Sequence, residues 1–151
     1  MNFSIANFTV IRIKMKQLKE ASEKLLEHLI FALNHAMELK KDGVDPMMPF
    51  AIVVKGNDKL IKTFAGDSPD YADQMFGKTI REEAPDYVIY AYDTYIRTDD
   101  IRYDGVLLKA YDKTDIEIYL VGQKFKPKTT SEDFLRIGNP AFLGTVENNF
   151  Q

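Results

Sequence analysis

An α+β fold is what this chain predicts: one domain over residues 1–151, with an antiparallel sheet of about five strands, a hairpin plus a three-strand meander, packed with two helices in the order α-ββ-α-βββ. Three observations carry that expectation. A helical apolar period runs from about Met15 to Asp42. A serine, proline and acid in succession introduce a second helix at Ser68, and three long β-prone runs follow, separated by short polar connections.

In the first helix Leu18, Ala21, Leu25, Leu26, Leu29, Ala32, Leu33, Ala36 and Leu39 share one stripe, with Glu20, Glu23, Glu27, Asn34 and Glu38 opposite. Lys40 and Lys41 suit the negative end of the helix dipole, and Gly43 suits a left-handed stop. Before it, Phe8 to Ile13 reads either way: the β-branched run favours a strand, while Ile11 extends the helical stripe. After it comes a break with two prolines and two methionines, Asp42 to Pro49. The runs Phe50 to Lys55 and Leu60 to Ala65 around Gly56-Asn57-Asp58 then read as a hairpin.

Ser68 as cap, Pro69 in the first turn and Asp70 near the positive end of the dipole start the second helix, which runs to about Glu83 and stops at Pro85. Its expected buried side is Ala72, Met75, Phe76, Thr79 and Ile80. Strands from about Tyr87 to Arg97, Arg102 to Tyr111 and Ile116 to Phe125 form the meander through Thr98-Asp99-Asp100-Ile101 and Asp112-Lys113-Thr114-Asp115. Beyond Lys126 the expectation is a polar loop, a helical turn capped by Ser131 and ending near Gly138, and an irregular segment to Gly144 docked by its apolar residues. The succession resembles that of roadblock and profilin-like scaffolds as an order of elements, with no motif of either family in the residues.

Composition narrows the function classes. Apolar residues make up 45% and charged residues 28%, a globular rather than a disordered balance. The net charge of −3, from 23 acidic and 20 basic side chains, is no nucleic-acid footprint, which shows as a clearly basic domain or stripe. With no cysteine, disulfides, thiolate zinc sites and cysteine nucleophiles are excluded. No apolar stretch approaches the ~20 residues that span a bilayer, and Met1 to Lys14 lacks the order of a signal peptide. A cytoplasmic location without a membrane partner is therefore expected, and the sequons at Asn2 and Asn7 go unmodified.

Several motifs imitate chemistry. Gly77-Lys78-Thr79 ends like a phosphate-binding loop, but the pattern needs glycine where Ala72 stands, and the tripeptide falls inside a helix without free N–H groups to cradle phosphate. Asp100, Asp104 and Gly105 imitate half a calcium loop, with Arg102 and Tyr111 where ligating oxygens belong. His28 and His35 share a helix face, but two turns separate them by about 10.5 Å of rise, too far for common ligation at about 2.0 Å per bond. They flank the buried stripe beside Phe31, where a histidine packs its ring. No Gly-x-Ser-x-Gly occurs. The acids Asp67, Asp70 and Asp73, and then Glu82, Glu83 and Asp86, read as helix-end complement and solvated surface. Neither a metal nor a cofactor is expected.

The meander does not alternate between apolar and polar. With two-residue turns, one face collects Tyr90, Tyr92, Leu107, Tyr111, Ile116, Ile118 and Leu120, and the other Ile89, Ala91, Val106, Leu108, Ala110, Tyr119, Val121 and Phe125. A sheet wet on one side alternates apolar-in and polar-out, so both faces need cover. Two helices cover one. For the other the candidates are the segment from Ile137 to Phe150, the N-terminal segment, a second copy, or a ligand. Tyr87, Tyr90, Tyr92 and Tyr95 in one strand favour an interface-like covering, because tyrosine offers apolar area with a polar tip.

No catalytic constellation stands out, so a non-catalytic binding or assembly domain is expected, a homodimer or an adaptor- or inhibitor-like module with a protein partner. Its candidate binding residues are Tyr90, Tyr92, Leu107, Tyr111, Tyr119 and Val121. The alternative is a small-molecule enzyme whose pocket, between sheet and helices, uses Asp93, a tyrosine hydroxyl and His28.

Overall fold

The computed structural model describes residues 21–65 and 69–150. Helix α1 (Glu23–Lys41) starts at Ser22, whose extended backbone leaves the helical region while its hydroxyl accepts from the Leu25 N–H at 3.1 Å. The periodicity predicted a start near Met15; Ser22 interrupts it, and Met15 to Glu20, like the run Phe8 to Ile13, lie outside the described residues. At the other end Gly43 adopts φ 84°, its N–H reaches the Lys40 carbonyl and that of Val44 reaches the Leu39 carbonyl, each at 3.0 Å. That pair of bonds is the Schellman stop that the glycine predicted.

Strands β1 (Phe50–Lys55) and β2 (Asp58–Thr63) close through Gly56-Asn57, with Gly56 at φ 59°. Helix α2 (Pro69–Glu83) follows; the expected Ser68 cap lies outside the described residues. Strands β3 (Tyr87–Thr98) and β4 (Ile101–Asp112) are joined by Asp99 and Asp100 at φ 50° and 63°, a two-residue turn of the primed kind whose twist matches the strands. Next come β5 (Glu117–Lys126) and β6 (Leu135–Glu147).

The sheet therefore has six antiparallel strands, in the order β2-β1-β3-β4-β5-β6, and the element order is α-ββ-α-ββββ. The sixth strand replaces the helical turn and irregular segment expected after Ser131. Thr129 Oγ1, not Ser131, caps the local turn, accepting from the Glu132 N–H at 3.0 Å and the Ser131 N–H at 3.3 Å. Gly138, Asn139, Pro140 and Gly144 disguised the strand. They fit because β6 is an edge, paired on one side only, and because its register slips between Leu120 and Val121 and between Gly122 and Lys124 of its partner. Gln123, fully buried, serves the irregularity. Its Nε2 lies within hydrogen-bond reach of the Lys124, Ile137 and Gly138 carbonyls, and its Oε1 accepts from Arg136 Nε at 3.0 Å.

The two helices lie on opposite faces, not together on one. Helix α1 covers a first face of Ile52, Ile89, Ala91, Val106, Leu108 and Ala110, continued by Tyr119, Val121 and Phe125. Helix α2 lays Ala72, Phe76 and Ile80 on a second face at Ala51, Val53, Val88, Tyr90, Tyr111 and Ile118. Both faces are apolar, so one helix on each removes more surface from water than two on the same side. The faces have the strand membership that the sequence predicted, although the β4–β5 connection is longer than two residues. Ala110 pairs with Tyr119, a shift of two, and an even shift leaves every side chain on its own face.

Candidate functional site

Among the described residues, the second face is only half covered. Helix α2 and the C-terminal Phe150 sit over one end of it. The Phe76 ring stacks on Tyr90 at 5.3 Å between centroids, and Phe150 meets Phe76 at 6.1 Å and Tyr111 at 6.2 Å, edge-on to both. Asn148 delivers that ring. Its backbone N–H bonds the Ile116 carbonyl at 2.9 Å, its side-chain amide the Asp115 carbonyl at 2.8 Å, and its Oδ1 accepts from the Phe150 N–H at 3.0 Å. The Phe150 ring lies beside Gly77, where an added Cβ would stand 3.4 Å from it, at ordinary contact. Of the C-terminal segment, one candidate cover, only this last turn lies on the face and the rest is β6; the N-terminal segment, another candidate, lies outside the described residues.

One row further along the strands the cover ends. Tyr92 pairs with Leu107 across β3 and β4, and both are half-buried, as are Ile96, Tyr103 and Leu120. Leu143 is 39% exposed. The middle of this area is floored by two glycines. The Ile96 side chain crosses Gly105, where an added Cβ would lie 2.5 Å from Ile96 Cδ1; at Gly122 it would lie 3.0 Å from Leu143 Cδ1 and 3.1 Å from Ile96 Cδ1. Ile96 and Leu143 thus converge over bare backbone and form a low, flat apolar surface instead of standing up from the sheet.

Cations rim it. Lys109 Nζ lies 3.4 Å from Asp73 of α2 and about 6 Å from the ring centroids of Tyr90 and Tyr92 (6.0 and 5.8 Å), and Lys124 Nζ sits 4.5 Å from that of Tyr103. Burial first, and then the Asp73 carboxylate, push the Tyr90 and Tyr92 hydroxyls up from their ordinary range. At neutral pH these phenols are neutral donors, not phenolate bases.

Tyr90, Tyr92, Leu107 and Tyr111 share the second face, whereas Tyr119 and Val121 lie on the first, in the core under α1. Tyr90, Tyr111, Tyr119 and Val121 are all buried, so Tyr92 and Leu107 are the members of the predicted set that a partner can touch. Ile96 and Leu143 join them. The glycines in β4 and β5 were the available signal for Ile96 and Leu143, since glycine inside a strand marks a close approach.

Asp93 and His28 are not brought together. Asp93 Oδ2 accepts from Lys40 Nζ and from the Met47 N–H, both at 2.7 Å, which ties β3 to the end of α1. Its Oδ1 is buried with no partner among the described residues. Lys40 is itself buried, donates also to the Val44 carbonyl at 3.1 Å and lies 5.5 Å from the Phe125 ring centroid. His28 stands twelve residues back along α1, about 18 Å of helix axis away from Lys40, packed on Tyr87 with ring centroids 5.1 Å apart. The cavity beside Lys40, bounded also by Asp45, Asp104, Phe125 and Lys128, holds about 60 Å³. Small-molecule sites run to about 300–1,000 Å³.

Among the described residues no three His, Asp or Glu side chains gather where they could hold a metal ion. No helix among them is long and apolar enough to cross a membrane. No family model matches the chain, and neither a curated protein nor a solved structure matches it.

Proposed function

We propose that this chain is a non-catalytic assembly domain that pairs with a second copy through the uncovered half of its second sheet face. The observation that supports this is where α2 and Phe150 stop: they cover Tyr90 and Tyr111 and leave Tyr92, Leu107, Ile96, Leu120 and Leu143 partly in water. Contiguous apolar areas of this kind mark interaction sites. The area is flat, which suits another flat surface better than a small molecule. A two-fold axis lets one such patch complement itself, so a second copy is the simplest occupant.

Light scattering on the intact chain tests it. A mass of twice 17.3 kDa is expected at micromolar concentration, falling to the single-chain mass in Leu107→Asp with the helical circular dichroism retained. Leu107 suits this purpose because it is half-exposed; Val121→Asp would bury a charge under α1 and unfold the chain. A clean single-chain mass for the unaltered protein at high concentration overturns the proposal.

A further inference from the structure

The ring of His28 is held by packing alone on the side of its Nδ1. It tilts at 46° against Tyr87 of β3, and Nδ1 is fully buried without a hydrogen-bond partner among the described residues. One turn on, at Phe31, Lys59 of β2 places its ammonium 3.5 Å from the ring centroid. The charged and titratable groups around His28 are therefore Lys59 from β2, the Tyr87 phenol from β3, and Glu27 and Lys24 from its own helix. Two cations stand against one carboxylate.

We infer that His28 makes the seat of this turn of α1, on Tyr87 of β3 and under Lys59 of β2, an acid-sensitive latch, closed while the ring is neutral and released when it takes a proton. A proton on the buried Nδ1 has no acceptor there among the described residues, and a second positive charge beside Lys59 is repelled. Both costs vanish if this turn of α1 lifts away from Tyr87 of β3 and Lys59 of β2. Burial first, and then Lys59, hold the docked ring below its ordinary range; Glu27 opposes them and Lys24 adds to them. The released ring titrates at about 6.5. Above that value both states are neutral and the latch is fully closed. As pH falls below it the released state binds the proton more readily, and each unit multiplies the released population by up to about tenfold until the docked ring titrates too.

Amide hydrogen exchange in the His28 turn of α1, corrected for intrinsic chemistry between pH 7.5 and 5.5, reads the latch. Protection is expected to fall with acid in the unaltered chain and in His35→Gln, and to be flat in His28→Phe, which keeps a ring against Tyr87 and cannot titrate. In Lys59→Gln the nuclear magnetic resonance titration midpoint of His28 moves up. A His28→Phe chain that keeps the acid response, or a His28 midpoint at or above its ordinary value in the unaltered chain, overturns the inference. The second measurement needs no variant and decides even if His28→Phe does not fold.

Discussion

On the first face Ile89, Ala91, Val106, Leu108 and Ala110 are fully buried under α1; on the second, one row beyond Tyr90, Tyr92 and Leu107 are half-exposed. The strands are the same and both sides are apolar, so the difference comes from the helices. The buried stripe of α1 runs from Leu25 to Met37, about 18 Å of axis, and that of α2 from Ala72 to Ile80, about 12 Å. What covers a sheet is the length of the helix's apolar stripe, and α2 is a stripe too short for its face. Phe150 extends it by one ring, and the glycines at 105 and 122 lower the rest of the surface.

The sharpest way to break that contrast is truncation on each side. Leu29→Ala, under α1, is expected to lower stability by about 2–5 kcal/mol in a denaturant titration, through lost contact and a cavity. Leu143→Ala, on the uncovered half, is expected to cost about 0.5 kcal/mol or less. Equal losses would mean that the second face is as well packed as the first. Phe150→Ala is intermediate: the ring is half-buried between Phe76 and Tyr111, so about 1–2 kcal/mol is expected. No change in the melt would show that α2 needs no extension. Gly105→Ala is expected to cost about 1–3 kcal/mol, because the new methyl would meet Ile96 Cδ1 and Cγ1 at 2.5 and 2.7 Å and the Gln123 backbone carbonyl at 3.2 Å. Its sharper signature is an Ile96 methyl moved to the surface and, where copies pair, a weaker dimer at unchanged fold.

The two helices, the hairpin and the meander were legible because period, caps and turn residues agreed at each of them, with Gly43 and Asp99-Asp100 the firmest. Face membership was legible even through a wrong turn length, since parity survives an even slip. The sixth strand was not. Pro140 and two glycines argue against a strand, and only the edge position and the side chain of Gln123 on a neighbouring strand reconcile them. Which face each helix takes was equally hidden, because stripe and sheet pattern say what must be covered and not by which partner. The candidate site suffered from that: with the open face unidentified, it drew on both, Tyr119 and Val121 from the face that α1 covers and Tyr92 and Leu107 from the other. Asp93 stood out in sequence as a charge among apolar neighbours, and Lys40 as a helix-end cation; nothing in either position announced that they would pair.

The irregular pairing of β6 has a consequence for how this sheet meets the outside. An exposed strand edge is a template on which further chains can stack without limit, and proteins blunt such edges with bulges, prolines and charges. Here Pro140 lacks an N–H to offer, the slips at two places spoil any straight ladder, and Gln123 keeps the Ile137 and Gly138 carbonyls occupied from inside. Growth is stopped on that side. The opposite margin, β2, is straight but only six residues long, and carries Lys59 and Lys62. Copies of this protein are thereby steered away from fibre-like edge-to-edge addition, which leaves flat faces as the surfaces on which they can meet and stop.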